Sequence, residues 1–217
     1  VKRRFDQLDV FSAVPLRGNP LAVVHDAEGL DEARMAAFAR WTQLSETTFL
    51  LPPRDPAADY RVRIFTPLGE LPFAGHPTLG SCHAWLAAGG RARATDEVVQ
   101  ECGVGLVRVR RPPQGRLAFA APPLRRSGPL DEALRARIAS ALALAPGDIV
   151  APPVGRQRPR LVCGSLPSAD AVAQVRVDGS RLGEIKLGLV GFHPAGSEAL
   201  TRCGRCSPAS KTRSPAA

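Results

Sequence analysis

Residues 63–80 read RIFTPLGELPFAGHPTLG, and the reading of this stretch decides the fold. Its first residues finish an alternating run, Tyr60, Val62 and Ile64 against Arg61, Arg63 and Phe65, the pattern of a half-buried strand. A loop holding Gly69 and Pro72 follows, and then Gly-His-Pro-Thr opens the segment GHPTLGSCHAWLAAGG (75–90). Pro77 suits a first helical turn, and Gly89 and Gly90 suit a helix end. A helix starting there offers backbone N–H groups and the positive end of its dipole, a setting for a carboxylate or a phosphate. His76 would donate to such an anion or act as an acid. The plain alternative is a helix start that carries a surface histidine.

Upstream, RRFDQLDVF (3–11) and GNPLAVV (18–24) read as two strands joined by a turn. LDEARMAAFARW (30–41) sets Leu30, Met35, Phe38 and Trp41 near helical spacing behind an acidic start, so a helix is expected. QLSETTFL then passes into ETTFLLPP, a strand stopped by Pro52 and Pro53. Glu46 stands at that strand's start. Partial burial there would suit a carboxylate for general acid–base work, whereas the alternative is a solvated loop residue. Asn19 is placed to orient a ligand, or simply to serve a turn.

Downstream, EVVQECGVGLVRVRR (97–111) reads as two strands folded about Gly103 and Gly105, and GRLAFAAPP (115–123) as another. The rhythm then restarts with a helix at 130–144 and strands near 147–151, 160–164, 172–177 and 187–193. The opening LDEA occurs at 30–33 and again at 130–133, which suggests two similarly built lobes with a boundary around 112–122.

The bulk composition narrows the classes. A chain of 217 residues, 44% hydrophobic and 23% charged, has the make-up of a globular protein, and its 20 Gly and 21 Pro favour strands and turns. VKRRFDQLDVF carries charge without an apolar run behind it, so no signal peptide is expected. No stretch is long and apolar enough for a membrane span, and a cytoplasmic location is expected. The net charge of +9 invites a nucleic-acid reading. Arg202, Arg205, Lys211 and Arg213 supply four of those charges, however, and aromatics make up only 5%, too few for base stacking. No nucleic-acid partner is expected. Five scattered cysteines (Cys82, Cys102, Cys163, Cys203 and Cys206) do not make a disulfide framework, and Cys82 reads as packing inside a helix beside His83. Cys203 and Cys206 form a C-x-x-C without a second ligand pair, so no metal site is expected. GVGLV (103–107) lacks the later glycines of a dinucleotide loop.

Taken together, DVF with GNPLAVV, QLSETTFL and RIFTPLGELPFAGHPTLG resemble, in order and spacing, the PhzF family of phenazine-biosynthesis proteins, over roughly residues 4–198. The resemblance implies an α+β, diaminopimelate epimerase-like fold. It has two pseudo-symmetric lobes, each a mostly antiparallel sheet rolled around a central helix, with the active site in the cleft between them. It implies an N-terminal lobe over 1–115 and an incomplete C-terminal lobe over 116–198. It further implies an isomerase, homodimeric and cofactor-free, in which Glu46 shuttles a proton between carbons of a small carboxylic acid. The family's best-known reaction is the isomerisation of trans-2,3-dihydro-3-hydroxyanthranilate. His76 would act with Glu46, while Asn19, Ser45, Gly75, Pro77 and Thr78 would hold the substrate.

Such proteins carry a second motif, Asp-Pro-x-Thr-Gly-Ser, whose aspartate and serine complete the site and which is missing from this sequence. Residues 199–217 are expected to be an out-of-frame, disordered tail. Read two bases later, the codons from Lys211 to Ala217 can encode Asp-Pro-Val-Thr-Gly-Ser, and 26 Arg against three Lys suits a GC-rich gene. Sequencing the gene across codons 196–217 tests this, and DNA that forbids the motif in the shifted frame ends it. Little activity and poor solubility are expected of the chain as written. An amino-acid epimerase or racemase and a non-catalytic small-molecule binder stand as the alternative functions.

Overall fold

A computed structural model describes residues 2–113, 116–120, 131–145, 149, 161–183, 185–197 and 201–206. The chain forms two compact units, Val1–Ala121 and Pro122–Ala217, so the division falls at the late end of the expected stretch.

In the first unit the order is β1 (Phe5–Val10), β2 (Asn19–Val24), α1 (Glu32–Thr42), β3 (Glu46–Leu51), β4 (Tyr60–Thr66), β5 (Gly69–Leu71), α2 (Gly75–Ala87), β6 (Glu97–Cys102), β7 (Gly105–Arg110) and β8 (Ala118–Phe119). The sheet runs β1-β2-β3-β4-β6-β7-β8, with β5 beside β4. Most neighbours are antiparallel, while β2–β3 and β4–β6 are parallel. Helix α2 packs against β1, β2, β3 and β6. Strands lie ~4.8 Å apart, so a flat sheet would separate β1 from β6 by ~19 Å, beyond the reach of one ~10 Å helix. The sheet is therefore rolled around α2.

Small side chains make this roll possible. A Cβ added at Gly80 would lie 2.5 Å from Leu21 Cδ2 and 2.9 Å from Val10 Cγ2, so only glycine lets α2 approach β1 and β2 this closely. The alternation read in 60–66 decides which side chains fill the interior. Tyr60, Val62 and Ile64 join Leu21, Leu50 and Val98 in the core beneath α2. Phe65 goes the other way, into a second core with Phe49, Leu51, Met35 and Ala39 of α1. Strand β3 is buried along its whole length because helices cover both of its faces.

Helix α1 starts where Asp31 accepts a hydrogen bond from Arg34 N and ends at Gln43 in the left-handed region. Trp41 departs from its expected core position and is 77% exposed. It lies two residues past Ala39, about 200° around the helix, so its ring leaves the buried stripe and lies tilted beside Phe38 at 5.7 Å instead.

The second unit holds α3 (Glu132–Leu142), β9 (Leu161–Ser165), α4 (Ala169–Gln174), α5 (Gly179–Leu182), β10 (Lys186–Phe192) and β11 (Thr201–Cys206). Among the described residues, three strands run β11-β10-β9, with β10 parallel to β9 and antiparallel to β11. Ile138, Leu142, Val162, Leu182, Leu187 and Leu189 share one core. Among the described residues, the lobe expected to be incomplete has a smaller sheet than the first. Of the strand expected at 172–177, 172–174 lie in the helix α4 and 175–177 in no regular element, because Ser168 accepts from Ala171 N and starts the helix, and only Val172 of the valines there is buried. The strand expected near 147–151 lies outside the described residues except for Ile149, which is buried. The expected disordered tail does not begin at 199 throughout, since Thr201–Cys206 pairs along β10; residues 207–217 lie outside the described residues.

Candidate active site

The parity of β3 sets Glu46, Thr48 and Leu50 on the α2 side of the sheet. Leu50 enters the α2 core, and Thr48 receives Ser81 Oγ of α2 at 2.9 Å. Glu46, the first residue of β3, pairs in register with Leu21 of β2 and is only 3% exposed. Above it starts α2, whose N-cap Ala74 makes no side-chain cap bond. His76 in the first turn brings Nε2 to 3.5 Å from Glu46 Oε2 and is itself buried. The sheet's roll and the helix start together bring these two side chains into contact.

Asn19 links them to solvent. Its Nδ2 donates to His76 Nδ1 at 3.2 Å, while its Oδ1 accepts from Ser45 Oγ at 3.5 Å. With the amide so oriented, Nδ1 is an acceptor, and a neutral His76 ring carries its proton on Nε2, toward Glu46. Asn19, Ser45, His76 and Glu46 therefore form one chain of polar contacts, with Ser45 at the exposed end.

Gly75 and Pro77 flank His76, but Thr78 is turned inward. It is fully buried, and its hydroxyl donates to Ala74 O at 2.9 Å and accepts from Gln100 Nε2 at 3.3 Å. Gln100 in turn accepts from Tyr60 OH at 2.8 Å. The Thr78 side chain thus secures the base of α2, and its hydroxyl is engaged within the fold. Cys82 sits buried on the same helix, and burial pushes its thiol up to about 12, which leaves it an unreactive packing residue at neutral pH. His83 faces outward.

Aromatic residues border the pair. The Phe11 ring centre lies 6.4 Å from that of His76, with Phe11 in the left-handed region and 70% exposed. Phe119 packs edge-on against Phe73, and a Cβ added at Gly75 would meet its Cζ at 3.4 Å. Sequence reasoning did not single out Phe11 or Phe119 as site residues. Phe11 belonged to the quoted DVF, but its place beside His76 depends on the pairing of β1 with β2. Among the described residues no group of three or more His, Cys, Asp or Glu is gathered to hold a metal. Nor, among them, is any helix long and apolar enough to cross a membrane.

A sheet rolled around a helix, with a buried carboxylate at the helix's N-terminal end, defines the class of α+β protein. The model of the PhzC-PhzF family, phenazine biosynthesis-like proteins, matches residues 8–182, and the chain belongs to that family. An uncharacterized isomerase of Mesorhizobium japonicum is 46% identical over 68% of this chain and 49% of its own length. A trans-2,3-dihydro-3-hydroxyanthranilate isomerase of Pseudomonas fluorescens is 54% identical over 36% of this chain and 27% of its own. Among solved structures, a predicted epimerase of Pseudomonas aeruginosa shares 30% identity at a TM-score of 0.67, over 95% of this chain and 78% of its own. The chain thus spans less than half the length of those two curated relatives.

Proposed function

We propose that this protein is an isomerase that moves a proton between carbons of a small carboxylic acid, without a cofactor and with Glu46 as the proton shuttle. The observation that carries the reading is the Glu46 carboxylate, 3% exposed and 3.5 Å from His76 Nε2 at the start of α2. A buried carboxylate beside a positive helix end can take a proton from carbon and keep it from solvent long enough to return it. The substrate carboxylate lies toward the α2 start. Glu46 removes a C–H proton, the C–H electron pair enters the adjacent unsaturated system, and the same proton is returned to a more distant carbon. Substrate and product are isomers, so nothing is oxidised or reduced. His76 holds the Glu46 carboxylate in place, and Asn19 and Ser45 hold His76.

The substrate we favour is like trans-2,3-dihydro-3-hydroxyanthranilate, the compound in the name of the P. fluorescens relative. The enzyme works in the cytoplasm as a homodimer, which light scattering on the purified protein checks. For the reaction, the acid is incubated with the protein in D2O, and product and incorporated deuterium are followed. Turnover by the chain as written is expected to be low, since it lacks the Asp-Pro-x-Thr-Gly-Ser motif, and Glu46→Gln is expected to lower it at least ~100-fold further while still binding the acid. Equal rates for the two forms would sink the reading. Binding without turnover in both forms would identify a binding protein instead.

A further inference from the structure

The residues of β4 that leave the α2 core build something on the other face of the sheet. A cavity of about 570 Å³ opens there, with Leu30, Met35 and Leu51 among its walls and Arg54, Arg61 and Arg63 around it. Neither Glu46 nor His76 lines it, and Glu46 stands at the opposite end of β3 from Leu51.

The three arginines are not equivalent. Arg63 is neutralised, since its Nε and Nη2 donate to both carboxylate oxygens of Glu70 at 2.7 and 2.6 Å and Nη2 also reaches Glu32 at 3.0 Å. Glu101 is engaged as well, because its Oε2 accepts from the backbone N–H groups of Arg54 and Asp55 at 2.6 and 3.1 Å. Arg61 and Arg54 have no ion pair among the described residues. Arg61 Nε is buried there and has no hydrogen-bond partner among them. A buried, unmatched guanidinium N–H is costly, and a carboxylate would satisfy it with a charge-assisted bond. Burial, followed by the like charge of Arg54, lowers the Arg61 pKa, while the attraction of Glu101 opposes this.

The remaining walls select the ligand. Glu28 and Glu70 join Glu101 at the cavity, so three acids balance three arginines, and no surplus positive charge is left to hold a second negative charge on the ligand. A single negative charge on an apolar body matches both the unmatched guanidinium and the leucine and methionine surface. We propose that this cavity is a second binding site, taking a small organic monocarboxylate whose carboxylate meets Arg61 and Arg54 and whose apolar body lies on Leu30, Met35 and Leu51. The site stands apart from the isomerase reading and does not depend on it.

The test uses the full chain labelled with ¹⁵N-arginine, titrated with benzoate and, separately, with inorganic phosphate at constant ionic strength. The Arg61 Nε–H signal is assigned by its loss in Arg61→Lys. Benzoate is expected to shift that signal saturably, and phosphate to shift it at least ~10-fold more weakly. Arg54→Gln, a change on the exposed surface, should weaken benzoate binding several-fold, and Glu46→Gln should leave it unchanged. An Arg61 signal that benzoate does not move, or moves without saturating, overturns the proposal. Phosphate binding as tight as benzoate, or a benzoate response lost in Glu46→Gln, overturns it too.

Discussion

A glutamate is rarely buried without strong local reason, because removing its charge from water is expensive. At Glu46 the reason is position: the first residue of a strand buried along its whole length, on the α2 side, beneath His76. Asn19 then fixes the histidine's tautomer. In wild type, long-range ¹H–¹⁵N spectra should show neutral His76 protonated at Nε2, and Asn19→Ala should give a mixture of both tautomers. An Nδ1-protonated wild-type ring would contradict the arrangement. Thr78 makes a separate prediction, since Thr78→Val leaves the buried Gln100 amide short of an acceptor. It should cost about 1–3 kcal/mol in urea unfolding while leaving the His76 tautomer untouched. Glu46, His76 and Asn19 were visible in the sequence as residue types at turning points. Their contact was not, because it depends on how far the sheet rolls. Thr78 shows the converse: its motif marked it for the ligand, yet packing turned its hydroxyl inward.

Among the elements, β4 was legible because its two-residue period is strong, and α2 because its glycines and proline mark both ends. α4 was misread because its valines suit a strand, and Ser168 decided the matter through a cap. The pairing of β1 with β2 has its own electrostatic lock, in which Asp6 Oδ2 of β1 meets His25 Nε2, just past β2, at 2.8 Å, with Arg4 alongside at 3.2 Å. Burial alone would raise the Asp6 pKa, but hydrogen bonds from His25 and Arg4 outweigh it and hold it below the usual carboxylate value. A group lowered in the folded state contributes stability above its unfolded value, near 3.9, and that contribution is lost as pH falls through the lower folded value. Stability should therefore decline with acid in that window, and Asp6→Asn should flatten the decline. An unchanged acid limb in urea titrations of Asp6→Asn would show that the lock is inert.

At the scale of the whole molecule, the restarted rhythm of elements and the repeated LDEA suggested two lobes, and the chain does form two compact units with separate cores. The extent of the second lobe was less legible, because residues 201–206 offered few apolar side chains yet pair along β10. Each unit contains a glycine where an added Cβ would force its neighbours to move. Gly80 of α2 lies against Leu21 and Val10, and a Cβ at Gly191 of β10 would collide with the backbone oxygen of Ser168. Overpacking of this kind costs about 1–3 kcal/mol, more where backbone must move. Gly80→Ala should lower the melting temperature of the first unit, followed through near-UV signals of Tyr60, which stacks at 5.0 Å on Trp85. Gly191→Ala should leave that transition in place and lower the one reported by amide exchange in β9 and β10. Because the first unit owns two cores, residues 1–121 expressed alone should also melt cooperatively. If the fragment is unfolded, or if Gly191→Ala shifts both transitions equally, the units fold as one and the glycine contacts act on a shared equilibrium.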